Sequence, residues 1–175
     1  MSSKPLANKE KTKPRGRAIV FPAPGHNHDR CSADALSHAE VLCRARGERL
    51  TPIRREVLAT LAADHRPFGA YELIDRLAAD KKRLAPITVY RALDFLVANG
   101  LVHRIESRNA YLACINNHAD SETVVFLICE NCGAVGEAAS SSVAETIAAA
   151  AKSAGFTPHA PVIEISGICS HCRQN

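Results

Sequence analysis

Two pairs of cysteines, Cys129-x-x-Cys132 and Cys169-x-x-Cys172, constrain this chain more than any other feature of it. Two residues between thiolates let a tight turn aim both sulfurs at one cation, and four sulfurs fill the tetrahedral shell that a structural Zn²⁺ prefers. The 36 residues between the pairs, 133–168, exceed what a simple zinc ribbon needs and match a helix plus a strand inserted between two knuckles. The competing reading is a redox dithiol; such a site needs only one pair and usually sits at a helix N-terminus, so it ranks below zinc.

The other cysteines fit the same chemistry. Residues 18–23, the most apolar part of the N-terminal stretch, are short and interrupted by Pro22, which is neither a signal-peptide core nor a membrane span. A cytoplasmic protein with no membrane contact is therefore expected. There the seven cysteines point to metal or to reactive thiols and not to a disulfide framework. The net charge of +4 becomes informative once divided: residues 1–30 carry +5, residues 31–115 carry +3 and residues 116–175 carry −4. A polyanion partner belongs to the first two parts.

The periodicities give an α+β chain in parts. Residues 1–30, rich in lysine, arginine and proline, cannot bury enough apolar surface to order themselves and are expected to form a basic flexible arm. Residues 31–114 follow as a winged helix. Ala35, Leu36, Ala39, Leu42 and Cys43 share one face of a helix over 32–46 that Gly47 ends. Thr51 caps a second helix with Pro52 at its first position and Ile53, Val57, Leu58 and Leu61 on its apolar stripe. A third helix over 70–79 buries Leu73, Ile74 and Leu77. A fourth lies between Pro86 and Gly100, with Val89, Leu93, Leu96 and Val97 inward and Thr88, Arg91 and Asp94 outward. Strands over 101–106 and 110–114, joined by Ser107-Arg108-Asn109, form the wing.

Residues 115–122 read as a polar hinge, and residues 123–175 as a small α/β dimerisation and metal-binding domain. It has strands over 124–128, 134–138 and 162–168 and an alanine-rich helix capped by Ser140–Ser142 and ended by Gly155. Its strand edges and apolar helix are better buried against a second copy, which implies a homodimer.

Two further groups carry chemistry. His103 on the first wing strand, Cys114 at the end of the second, His118 in the hinge and Glu137 beyond the first knuckle supply thiolate, imidazole and carboxylate, a donor set that favours zinc over iron or manganese. Each also has a plainer reading, as a surface histidine, a buried thiol or a solvated charge. On the fourth helix, Arg91 presents a guanidinium fork suited to guanine in a major groove, and Thr88, Tyr90 and Tyr71 suit phosphates. An outward arginine alone proves little; its place beside a wing and a basic arm raises the prior for double-stranded DNA.

These residues assemble into a known pattern. Leu50-Thr51-Pro52-x-Arg54, the run from Pro86-Ile87-Thr88-Val89-Tyr90-Arg91 to Leu96, Gly100-Leu101-Val102-His103-Arg104-Ile105-Glu106-Ser107 and Cys129-x-x-Cys132-Gly133 resemble the ferric-uptake-regulator family, most of all its zinc-uptake-regulator branch. The resemblance implies a structural zinc at Cys129, Cys132, Cys169 and Cys172 and a regulatory zinc held by His103, Cys114 and Glu137. For the fourth regulatory ligand, relatives carry a histidine closer to the first knuckle, where this chain has Glu122; His118 is preferred because the hinge can bend, with Glu122 as the alternative. Tyr71 and Arg91 match DNA-touching positions. The implied function is a zinc-responsive repressor of zinc-uptake genes that binds pseudo-palindromic operators. A regulator of iron, manganese or peroxide, and a zinc chaperone using His26, His28 and Cys31, are the rivals. No hydrolase-like arrangement supports an enzyme.

Overall fold

The computed structural model describes residues 21, 28–80, 84–114, 123–158 and 162–174. The 115–122 hinge, with His118 and Glu122, lies outside them, as does most of the expected arm. Four helices and a three-stranded sheet make up the first half. Helix α1 (His28–Ala45) starts before the expected 32, so the division drawn at residue 30 falls inside it. Helices α2 (Pro52–Ala62), α3 (Ala70–Asp80) and α4 (Pro86–Ala98) lie where the periodicity places them. Thr51 does stand before α2, but its side chain makes no cap bond; the fixed backbone of Pro52 starts the helix. At the far ends of α1 and α4, Gly47 and Gly100 take the left-handed conformation that stops a helix.

Strand β1 (Phe68–Gly69) escapes the sequence reading because two residues carry no period. It exists because β3 (Ala110–Ala113) offers it a partner, giving an antiparallel sheet in the order β1-β3-β2 with β2 (Val102–Ile105). The wing turn is tighter than expected: Glu106–Arg108 form one turn of 3₁₀ helix, and Asn109, at φ 45°, closes it in the left-handed region. Asparagine tolerates that region better than most residues.

The core of this winged helix gathers Ala39, Val57, Leu61, Leu73, Val89, Leu93 and Leu96. Val97, expected inward, is 37% exposed, and Ala92 is buried in the α4 stripe instead. The two family-like segments touch: the Arg54 guanidinium lies 3.3 Å over the ring of Phe95 and donates to the carbonyl of Arg49 at 2.6 Å. Asn99, buried just after α4, is satisfied by Arg46 at 3.0 Å and by Glu48 at 2.8 Å, which ties α4 to the α1–α2 turn.

The second half is a three-stranded sheet in the order β5-β4-β6. Strand β4 (Val124–Cys129) is antiparallel to β5 (Val135–Ala139) and parallel to β6 (Ile163–Gly167). A parallel pair needs a crossover, and α5 (Ser141–Ser153) supplies it, capped by the Ser140 hydroxyl accepting from the Val143 N–H. The last element, α6 (Ser170–Arg173), is a short helix not anticipated from sequence, with Cys169 at its N-cap.

The halves meet along the wing. Ile105 and Leu112 pack with Phe126, Ile128 and Val135 in one buried cluster. Two polar clasps flank it: the Val135 N–H donates to the carbonyl of His65 at 3.1 Å, and Glu164 accepts from the Glu106 and Ser107 N–H groups at 2.7 and 3.1 Å. Burial pushes the Glu164 carboxyl up, but the hydrogen bonds from Ser107 and Glu106 outweigh it, leaving its pKa below the ordinary 4.5. A depressed carboxyl stabilises the fold above its ordinary pKa, and that contribution is lost as pH falls through the folded value. Glu164→Ala is expected to lower unfolding free energy by about 1 kcal/mol at pH 7, discounted for partial exposure. In denaturant titrations the gap between the proteins should persist down to pH 4.5 and close below it.

Candidate metal centres and nucleic-acid face

The first knuckle is built by backbone geometry. The Gly133 N–H donates to the Cys129 carbonyl at 3.0 Å, and Gly133 takes φ 75°, which a side chain would strain, with a Cβ also meeting Arg66 Cδ at 3.3 Å. The Glu130 N–H then donates to Gly167 at 2.8 Å, pinning the knuckle to the end of β6. That strand delivers Cys169, whose N–H points at the Cys129 sulfur at 3.4 Å.

All four sulfurs of Cys129, Cys132, Cys169 and Cys172 lie within 4.8 Å of one another, with Cys132 and Cys169 3.9 Å apart. Backbone N–H groups of Cys132 and Cys169 pull the Cys129 thiol down to about 6, so one thiolate is prepared before any cation arrives. Sharing a proton with the Cys169 sulfur, together with burial, pushes the Cys172 thiol up to about 12. Thiols crowded around one anion keep their protons until a cation displaces them. Four sulfurs in that arrangement fit tetrahedral Zn²⁺.

The second cluster forms across the seam between the halves. His103 projects from β2, Cys114 follows β3 with its N–H bonded to Leu101 at 3.0 Å, and Glu137 projects from β5. Their ligand atoms all lie within 4.8 Å: His103 Nε2 to Glu137 Oε1 is 3.8 Å, and Cys114 Sγ to Glu137 Oε2 is 4.0 Å. The His103 ring also packs on Phe126, centroids 5.0 Å apart. Glu137, 4% exposed, is no solvated charge, and His103 is not a simple surface histidine. Thiolate, imidazole and carboxylate converging in a buried site match the chemistry of Zn²⁺.

On the winged helix, Tyr71 in the first turn of α3 is 75% exposed, and Arg91 on α4 is exposed. Thr88 and Tyr90 are half-buried, so their reach outward is shorter. Ile87, 58% exposed beside them, went unnoticed in the sequence because its apolar character argued for the core. His65 and Glu164 went unnoticed too; neither belongs to a spacing motif, and each acquires its role through contacts distant in sequence.

A family model described as the ferric uptake regulator family matches residues 45–166. The zinc uptake regulation protein of Escherichia coli (strain K12) is 39% identical over 139 residues, which cover 79% of this chain and 81% of that protein. Its counterpart in Mycobacterium tuberculosis (strain ATCC 25618 / H37Rv) is 32% identical over 124 residues, covering 69% of this chain and 92% of that protein. A solved zinc uptake regulator complexed with zinc and DNA superposes with a TM-score of 0.77 at 38% identity, over 82% of this chain and 95% of that one. The crystal structure of holo XcZur gives 0.73 at 43% identity, over 81% and 99%. Sequence match and superposition agree across both halves of the molecule, and the chain accordingly belongs to the ferric uptake regulator family, in the branch of the zinc uptake regulators.

Proposed function

We propose that the protein is a zinc-responsive transcriptional repressor, with zinc as corepressor, that binds pseudo-palindromic operators of zinc-uptake genes as a homodimer. The observation that carries this reading is the buried meeting of His103, Cys114 and Glu137 on the seam between the helical half and the sheet that bears the four cysteines. A related zinc uptake regulator was solved with zinc and DNA, which supports both ligands here.

Two zinc sites per subunit follow from the donors. Cys129, Cys132, Cys169 and Cys172 hold the structural ion. His103, Cys114 and Glu137 hold the regulatory one, with His118 as the fourth ligand and Glu122 as its alternative. When bound there, the cation balances the charge of carboxylate and thiolate and cross-links the strands that carry them.

The chain's own residues turn that link into DNA affinity. His103 and Cys114 belong to the wing, and Glu137 to the dimerisation half, so three side chains drawn together fix how the recognition helix α4 is presented. Two copies must place their α4 helices about one DNA turn apart. A ligand that stabilises that spacing raises operator affinity by linkage. Arg91 reads a base edge, while Tyr71, Thr88 and Tyr90 contact phosphates.

The second half offers a surface for the partner copy. Helix α5 buries none of its described residues, and Phe156, Val162, Ile165 and Ile168 are each at least half exposed. So much apolar surface together marks an interaction face. Among the described residues, no helix is long and apolar enough to cross a membrane. The reading assigns the protein to the cytoplasm and gives it no enzymatic activity.

Three outcomes test it. Operator binding measured against buffered free zinc should rise with zinc and not with manganese, and Cys114→Ser should demand roughly 100-fold more free zinc, since a lost ligand costs at least as much as a lost outer-shell partner. An unchanged zinc response in that variant would sink the regulatory assignment. Arg91→Ala should weaken operator binding by about 1–3 kcal/mol and relax base preference at one position, as read by binding to permuted operators. Cys132→Ser, or strong chelation, should lower the melting temperature on the order of 10 °C, because metal binding energy there is folding energy.

A further inference from the structure

A third group of metal-ligating side chains gathers at the start of α1. Cys31, in its first turn, places Sγ 3.9 Å from Nε2 of His65, a buried residue in the turn after α2. His28, the first residue of α1, lays its ring against that of His65, with centroids 5.2 Å apart and planes tilted by 39°. The three come from two elements far apart in sequence, and His65 belongs to no motif that the sequence analysis singled out.

The Cys31–His65 separation is close to that of two donors on one cation. With zinc bonds of about 2.3 Å to sulfur and 2.0–2.1 Å to nitrogen, tetrahedral angles put a thiolate sulfur and an imidazole nitrogen about 3.6 Å apart, and two ligating imidazole rings about 5 Å apart. The Cys31–His65 pair is a few tenths of an ångström wider and the ring centroids nearly match, but the ligand atoms of all three do not yet lie within 4.8 Å of one another, so side-chain rotation has to close the set around a cation. One thiolate with two imidazoles is a borderline-soft set, suited to Zn²⁺ and poor for Mg²⁺ or Ca²⁺.

The surroundings add a fourth position. Cys31 and His65 line a cavity of about 110 Å³ together with Asp34, Asp64 and Cys114. A water occupies about 30 Å³ of liquid, so the space admits an ion and a few waters. Asp64 is engaged by Arg66 at 2.9 Å, which leaves the open coordination position to water or Asp34. The far wall is Cys114, one of the three residues of the seam cluster.

We propose that His28, Cys31 and His65 form a further zinc site, three protein donors with an exchangeable fourth position, beside a cavity that Cys31 and His65 share with Cys114. His65 gives the site a mechanical consequence. Its carbonyl accepts from the Val135 N–H at 3.1 Å, and Val135 precedes Glu137 by two residues on β5. Holding the His65 ring against α1 therefore stiffens the joint that the seam cluster also spans, so the two sites bias one structural element.

The experiment is a Co²⁺ titration of the full-length chain, followed by the sulfur-to-metal charge-transfer absorption, with Zn²⁺ counted by mass spectrometry after dialysis against buffered zinc. The wild type should bind three equivalents per chain. Cys31→Ser and His65→Gln should each bind two, and lose the absorption of a single-thiolate site. His28→Gln, at the helix edge where folding is least at risk, should weaken that same equivalent by about tenfold or more. Cys114→Ser should lose a different equivalent, and Cys31→Ser/Cys114→Ser should lose both, which separates this site from the regulatory one. Saturation of the wild type at two equivalents, or three equivalents retained by Cys31→Ser and His65→Gln with native circular dichroism, would overturn the proposal.

Discussion

A carboxylate buried at a seam governs much of this molecule. Glu137 is almost completely shielded from water, yet its oxygens face a thiol and an imidazole contributed by the other half of the chain. Burying a charge costs several kcal/mol unless nearby groups compensate it. Two of the groups that face it, Cys114 and His103, come from across the seam, on the wing. The two halves are consequently not independent bodies on a string: a buried carboxylate of one faces a thiol and an imidazole of the other.

The rest of the interface keeps the wing seated without a large core. Five apolar side chains, Ile105, Leu112, Phe126, Ile128 and Val135, make the cluster between the halves. At about 1.5–3 kcal/mol for each fully buried large side chain, gross burial there is modest beside the entropy of ordering the elements. The Glu164 clasp on the wing turn and the His65–Val135 backbone bond add direction to that non-directional attraction. The joint thus combines a small apolar cluster with directional polar contacts on the wing turn and at β5.

The two clusters place related donors in different surroundings. The four sulfurs of the first are delivered by knuckles whose backbone N–H groups already favour a thiolate, and all four ligands lie within one small unit. A cation bound there would hold its own domain together. The second draws on β2, the end of β3 and β5, so a cation bound there would report on the arrangement of elements and not on the folding of one of them. The apolar residues left exposed on the β6 side belong to neither cluster, and the proposed second copy would cover them.

Local chemistry was legible in the sequence and non-local geometry was not. The CxxC pairs could be read as a cation site because two residues of spacing let a turn aim both sulfurs at one ion, helped in the first pair by the following Gly133. Helices α2, α3 and α4 were legible because their apolar residues recur at helical spacing, and proline and glycine mark the start of α2 and both ends of α4. The first turn of α1, the two-residue β1, the α6 turn and the outward Val97 were not, since each depends on a neighbour supplied by the fold. The same division runs through the sites. Residue types and spacing determined that this chain has a four-cysteine centre and a helix with an outward arginine. Only the tertiary structure decided that Glu137 is buried against Cys114 and His103, and that His65 meets Cys31, because those contacts span 23 and 34 residues of chain and no local spacing encodes them.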